Sequence, residues 1–329
     1  MATLRDVAAR AGVGIATVSR ALNGTGPVSE AVRRRVEEAA AAVGYVPNGV
    51  ARGLVTGVTR TFALILPDIT NPYFPSLARA VEDAARVRGY AVVLGNSDND
   101  PDQEAAYVRL FRERGVDGMI IASSRDASAL ARVTGPVPVV LIDRRVPHWD
   151  VDCVVTDNRR GIADAVQHLA GLGHRRLVHL GGPEGVESAS TRAQAFMDAC
   201  RELGVEVVDL TRGPFTAESG YERGRRLLKS RRRFTAVVAA NDLIACGFLQ
   251  AAFEAGRAVP GDVSVTGFDD VLVARLANPP LTTVRQPTYR AGQLAVERLA
   301  ARLDRPGEPV RVDVLKPELV VRSSSGPAR

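Results

Sequence analysis

Eight short apolar runs, separated by stretches of helical pattern, constrain the fold of this 329-residue chain more than any other feature. FALIL (62–66), YAVVLG (90–95), GMIIA (118–122) and VPVVLI (137–142) are continuous rather than alternating. A strand reads that way when both of its faces are buried. Helical segments near 76–88, 102–114 and 126–133 lie between them. The pattern then repeats with RLVHLG (176–181), VEVVDL (205–210), FTAVVAA (234–240) and DVSVTGF (262–268). Such alternation implies parallel sheets with right-handed crossovers, and two sets imply two similar lobes.

Open α/β sheets bind ligands beyond the carboxyl ends of their strands. Polar or aromatic residues follow many of these runs: Asp68 and Asn71-Pro72-Tyr73-Phe74, Asp143-Arg144, Ser190-Thr191-Arg192, Phe215, Asn241-Asp242, Phe268-Asp269-Asp270, and Gln286 after LTTVR. Asn, Asp and Ser cap helices after strands so often that each is unremarkable alone. Capping is the better reading of Asp242 and Asp270. Recurrence at one end of both sheets points to a pocket.

The first sixty residues follow another pattern. Eight Arg stand against one Asp and three Glu, a balance of 8 − 4 = +4, within a chain of net charge +6. That is the electrostatic footprint of phosphate binding, although a solvated surface could carry it too. Thr3 and Asp6 have the spacing of a capping box. Leu4, Val7, Ala8 and Ala11 then form an apolar face, and Gly12 ends the helix. A second helix starts near Ile15, with Val18, Ala21 and Leu22 inward and Ala16, Ser19, Arg20 and Asn23 on another face. Ser29 caps a third, whose Val32, Val36, Ala40 and Val43 face inward until Gly44 and Pro47 stop it. Spacing alone leaves a solvated helical hairpin and a major-groove reader equally open.

The residues are more specific than their spacing. LRDVAARAGV, ATVSRALN and GYVPN closely resemble the DNA-binding headpiece of the LacI family of bacterial transcription regulators, and the resemblance runs through the whole chain. It implies an all-α helix-turn-helix headpiece (1–46), a hinge (47–60), and an α/β periplasmic-binding-protein-like core with parallel sheets (61–329). The two lobes of that core would comprise 61–156 with 287–314, and 157–286 with 315–329. It implies DNA contacts from Thr3, Ile15, Ala16, Thr17, Ser19, Arg20, Asn23, Ser29, Tyr45 and Asn48. Arg20 suits a bidentate contact to guanine. In the hinge, Ala51, Arg52 and Leu54 match the family pattern, with Leu54 as the minor-groove wedge. Three glycines (49, 53, 57) each cost about 1 kcal/mol in a helix, so this segment is expected to order only on DNA. Gly14 departs from the Ser usual in the family and removes a helix-capping hydroxyl.

By the same resemblance, Asn71, Tyr73, Phe74, Asp143, Arg192, Phe215, Asn241, Asp269 and Gln286 would hold an effector. Carboxylate, amide and guanidinium groups with aromatic covers suit a sugar. A purine occupies the pocket in one branch of the family, but the GVESAS loop brings no extra basic group. The expected partners are operator DNA, a small-molecule effector and a second copy of the chain. A terminus without leucine heptads favours a dimer over a tetramer. No cofactor and no metal are implied.

Competing classes fit less well. GGPEG after RLVHL lacks the spacing of a dinucleotide-binding loop. His168, His174 and His179 are scattered, with no nucleophile–base set, so no enzyme is indicated. An exported solute-binding protein would share the lobes, but the chain opens on basic helices without a signal peptide. Three unpaired Cys and no apolar run near 18 residues fit a reducing cytoplasm.

Overall fold

The computed structural model describes residues 2–24, 26–46, 53, 57–123, 130–146 and 148–329, in two compact units that divide at Arg60 and Thr61. The expected hinge residues Asn48, Ala51, Arg52 and Leu54 lie outside the described residues.

The first unit holds three helices, α1 (Leu4–Ala11), α2 (Ile15–Asn23) and α3 (Glu30–Ala42). The capping box forms in both directions: the Asp6 N–H donates to Thr3 Oγ1 at 3.4 Å, and the Thr3 N–H donates to Asp6 Oδ2 at 2.8 Å. Gly12 ends α1 at φ 64°, where a side chain would be strained. Val7, Ala8, Ala11, Val18, Ala21, Val36, Ala39 and Ala40 make a single small core. Ser29 caps α3 by accepting from the Val32 N–H.

The second unit contains two six-stranded sheets. The first is built from β1 (Thr61–Leu66), β2 (Ala91–Asn96), β3 (Gly118–Ile121), β4 (Val139–Ile142), β5 (Asp152–Thr156) and β11 (Val312–Leu315), in the order β11-β5-β4-β3-β1-β2. Its helices are α4 (Tyr73–Val87), α5 (Pro101–Glu113), α6 (Leu130–Thr134) and α12 (Thr288–Asp304). The expected helix at 126–133 is described only from Leu130. Phe62, Leu64 and Leu66 pack with Leu77, Val81, Ala295 and Leu299, whereas Ala63 and Ile65 meet Val108 and Phe111 on the opposite face. Helices on both sides explain why β1, β3 and β4 read as continuous apolar runs, whereas YAVVLG, expected to be buried, forms the edge strand β2 and is largely exposed.

The second sheet is built from β6 (Arg176–Leu180), β7 (Glu206–Thr211), β8 (Ala236–Ala239), β9 (Ser264–Asp269), β10 (Thr282–Arg285) and β12 (Glu318–Val320), in the order β12-β10-β9-β8-β6-β7. With it go α7 (Asn158–Gly171), α8 (Glu187–Glu202), α9 (Ala217–Lys229), α10 (Asp242–Glu254) and α11 (Leu272–Leu276). Among the described pairings only β10–β12 is antiparallel, so the expectation of parallel sheets needs this one edge correction. Helices α9 and α10 touch at Gly220 and Gly247, where a Cβ would collide with Ile244 O and Ala217 O.

The chain passes between the sheets three times, through Asp157, through Gln286-Pro287 and through Lys316-Pro317. No described helix is long and apolar enough to cross a membrane. Cys153, Cys200 and Cys246 are free, the first two buried and the third half-buried, and burial pushes each thiol up to about 12, which favours the neutral form.

Candidate functional site

The carboxyl ends of both sheets meet at one cleft. Asn71 lies in the turn after β1 and accepts from the Tyr73 N–H at 3.2 Å, which fixes Tyr73 and Phe74 in the first turn of α4. Asp143 and Arg144 follow β4. Ser188 and Arg192 lie on α8, and Phe215 precedes α9. Asn241 caps α10 by accepting from the Ile244 N–H at 2.9 Å. Asp269 ends β9, and Gln286 follows β10. All nine residues expected in a pocket line this one cavity, together with Arg144 and Ser188, which were not among them. Arg144 had a usable signal, since it directly follows a strand beside Asp143. Ser188 had none.

Charge in the cleft is balanced and buried. Arg192 donates through Nε to Asn158 Oδ1 and through Nη1 to Ala240 O, both at 2.7 Å, with Asp269 Oδ1 3.8 Å from Nη1. Its guanidinium lies over the Phe268 ring, 3.7 Å from the centroid. Arg144 donates to Ser123 O at 2.7 Å and pairs with Asp143 at 3.1 Å. Gln286 donates to Asp269 Oδ1 at 2.7 Å, which leaves its own Oε1 buried and unbonded. Asp143 and Asp269 stand at φ 70° and 112°. Such backbone costs about 1–3 kcal/mol per residue and collects at functional sites.

Burial pushes the Asp269 carboxyl up to about 7, against the opposing pull of Arg192 and Gln286. The Tyr73 hydroxyl rises well above its usual range, by burial first and then by Asp143 and Asp269. The cleft therefore offers a neutral phenol, amides, carboxylates and two guanidinium groups, a set that can bind adjacent hydroxyls in pairs. These groups bond to one another and leave only about 20 Å³ open. That is room for about one water, so a ligand must part the walls.

Asp242 and Asp270, expected as helix caps, have structural partners of another kind, since Asn241 caps α10 and Val271 stands at the N-cap of α11. Asp242 accepts from the Val271 N–H at 2.9 Å and from Thr283 Oγ1 at 2.5 Å. Asp270 pairs with Arg285 and Arg322. His179 is buried, with Nδ1 2.8 Å from Val238 O, and burial pushes it down to about 4. His174 ties Ser264 and Gly326 together.

In the first unit, Val18 and Ala21 anchor α2 in the core, and Ile15, Ala16 and Arg20 are exposed on its outer side. Arg20 Nε donates to Ala16 O at 3.2 Å, and Asn23 donates to Ser19 Oγ at 3.3 Å. Thr17, Ser19, Asn23 and Tyr45 are half-buried, and Thr3 and Ser29 are engaged as helix caps. Gly14 offers α2 no capping side chain.

Comparison with known proteins agrees with both units. Residues 3–48 match the model of the lacI family of bacterial regulatory proteins, and residues 166–325 match that of the periplasmic binding protein-like domain. The chain is 37% identical to the HTH-type transcriptional regulator DegA of Bacillus subtilis, over 99% of this chain and 98% of that one. The structure superposes on a lac repressor dimer bound to operator and the anti-inducer ONPF with a TM-score of 0.91, at 28% identity over 99% of both chains. It superposes on a complex of the regulator CelR with cellobiose with a TM-score of 0.74, at 34% identity over 98% of this chain and 100% of that one.

Proposed function

The chain belongs to the lacI family of bacterial regulatory proteins and is a DNA-binding transcriptional regulator, and from that premise we propose how it works. It acts in the cytoplasm as a homodimeric repressor without enzymatic activity, controlled by a sugar bound between the two lobes of its core. The observation that carries the effector reading is the convergence of paired hydroxyl-binding groups from both sheets on one cleft. The relative bound to cellobiose supports a sugar over a purine.

Residues 1–46 are the DNA-binding headpiece and 47–60 the hinge. Two copies of α2 enter successive major grooves of a pseudo-palindromic operator. Arg20 contacts guanine, Ile15, Ala16 and Thr17 make apolar or methyl contacts, and Thr3, Ser19, Asn23, Ser29 and Tyr45 fix phosphates. Asn48, Ala51, Arg52 and Leu54 act through the minor groove. Exposed Phe253, Leu272 and Leu276, near the ends of α10 and α11, supply apolar surface for self-association.

The sugar replaces the internal bonds of Asp143, Arg144, Arg192, Asp269 and Gln286, so it binds closed and parted lobes with different affinity. Only that difference can shift operator affinity. The test is operator affinity, on DNA selected by binding, with and without a panel of sugars and purines. One sugar that changes the affinity supports the proposal. Selection of no DNA above non-specific levels at moderate salt refutes the regulatory role, and DNA binding that no compound shifts refutes the cleft chemistry.

A further inference from the structure

A second cavity, sharing no lining residue with the cleft, opens between edge strand β7 and α9. It has about 470 Å³ of open space. Arg212, Arg223, Arg226 and Arg232 line it against one carboxylate, Asp209, so its walls carry 4 − 1 = +3. Arg232 pairs with Asp209, and exposed Arg212 pairs with Glu184 at 3.6 Å. Arg226 is exposed and has no carboxylate partner among the described residues.

Arg223 is the informative member. It is only 6% exposed and has no carboxylate partner among the described residues. It donates through Nη1 to Gly181 O at 2.7 Å and through Nε to Ser219 O at 3.0 Å, but Nη2 has no partner. The hydroxyl of Thr211, also in the cavity wall, is buried and unbonded. A buried guanidinium without a counter-charge is expensive. A cavity that keeps one, with a spare hydroxyl and three more arginines around it, matches an anion able to accept several forked N–H donors. Phosphoryl groups have that geometry and charge.

We propose that the β7–α9 cavity is a binding site for the phosphoryl group of a small metabolite, held by Arg223 and Arg226 with Arg212 and Arg232 at its mouth. The site is independent of the sugar cleft. A cavity wider than a bare phosphate favours a phosphorylated small molecule over the phosphates of a duplex, which need an open surface.

The experiment is calorimetric titration of the full chain with inorganic pyrophosphate at moderate salt. Three variants are compared: Arg223→Gln, Arg226→Gln/Arg232→Gln, and the headpiece variant Arg20→Ala. Expected are one site per chain, at least a tenfold loss of affinity in the double variant, and no change in Arg20→Ala. Both double-variant positions are exposed, so its thermal melt should match that of the wild type even if Arg223→Gln unfolds. Binding that survives the double variant overturns the proposal, as does binding lost in Arg20→Ala. So does a protein that ignores pyrophosphate while a short duplex binds it through Arg226 and Arg232.

Discussion

Replacing Gly14 with Ser should tighten both the headpiece and its hold on DNA. Gly14 is the N-cap of α2, at φ −69° and ψ 152°, an extended geometry that any residue adopts. A Cβ there would meet nothing within 4 Å, so the substitution carries no steric cost. Its carbonyl already accepts from the Thr17 and Val18 N–H groups. A serine hydroxyl would add an acceptor for the open donors of the first turn. Replacing Gly by Ser at an N-cap is worth a few tenths of a kcal/mol, and loss of glycine's freedom in the unfolded chain adds about 0.4–1. The sum, roughly 0.5–1.5 kcal/mol, corresponds to about a two- to twelvefold smaller population of opened helix. Hydrogen exchange at the amides of α2 in the full chain should slow by that factor, while exchange in the core stays unchanged. Operator affinity, read by fluorescence anisotropy, should rise if α2 is the groove helix, because a firmer first turn loses less order on binding. Unchanged exchange with unchanged or weaker operator binding would refute both the capping argument and the assignment of α2 as the groove helix.

Three further outcomes are expected. Arg192→Lys removes the fork that joins Asn158, Ala240 and Asp269, so sugar affinity should fall about tenfold or more by calorimetry. Equal affinity in the two proteins would take Arg192 out of the ligand's contacts. Asp269, raised in the folded state to about 7 from 3.8, holds its proton longer folded than unfolded, so its contribution weakens stability as pH rises from about 4 to 7. His179, lowered to about 4 from 6.5, acts in the opposite direction over an overlapping window. Urea unfolding at pH 5 and 7.5 should therefore show Asp269→Asn gaining stability relative to wild type as pH rises, and a constant difference would contradict the buried-carboxyl assignment. Gly247→Ala drives a methyl into Ala217 O and should cost about 3 kcal/mol or more, lowering Tm by about 6 °C or more. An unshifted melt would mean that α9 and α10 can separate freely.

Legibility in the sequence followed burial. Strands covered on both faces, such as β1 and β8, read as unbroken apolar runs and were visible at once. β5 begins with Asp152, bonded to Arg302, and the edge strands β11 and β12 are only partly covered, so none announces itself by composition. Their positions depend on pairing with distant chain, which local pattern does not encode. Within the cleft, residues immediately after strands were easy to single out. Asn158 was not, because its role is to orient Arg192 from another helix. Arg144 fell between these cases, adjacent to an expected residue but resembling an ordinary surface arginine. The β7–α9 cavity was illegible because its arginines come from separate segments that only the fold assembles.

The three passages of chain between the sheets are one or two residues long, and two of them contain proline. Proline fixes φ, so few free torsions remain at those points. Mechanically, the lobes are joined by three short pivots instead of a flexible strap, so any change in their relative angle must fall on a few backbone torsions. Gln286 sits in one of these pivots while also lining the cleft. A molecule that binds there touches the fulcrum along with the jaws. On the proposed function, a change in one hydrogen bond at Gln286 would be felt as a change in angle, and the far edges of the lobes would travel farther than the ligand itself.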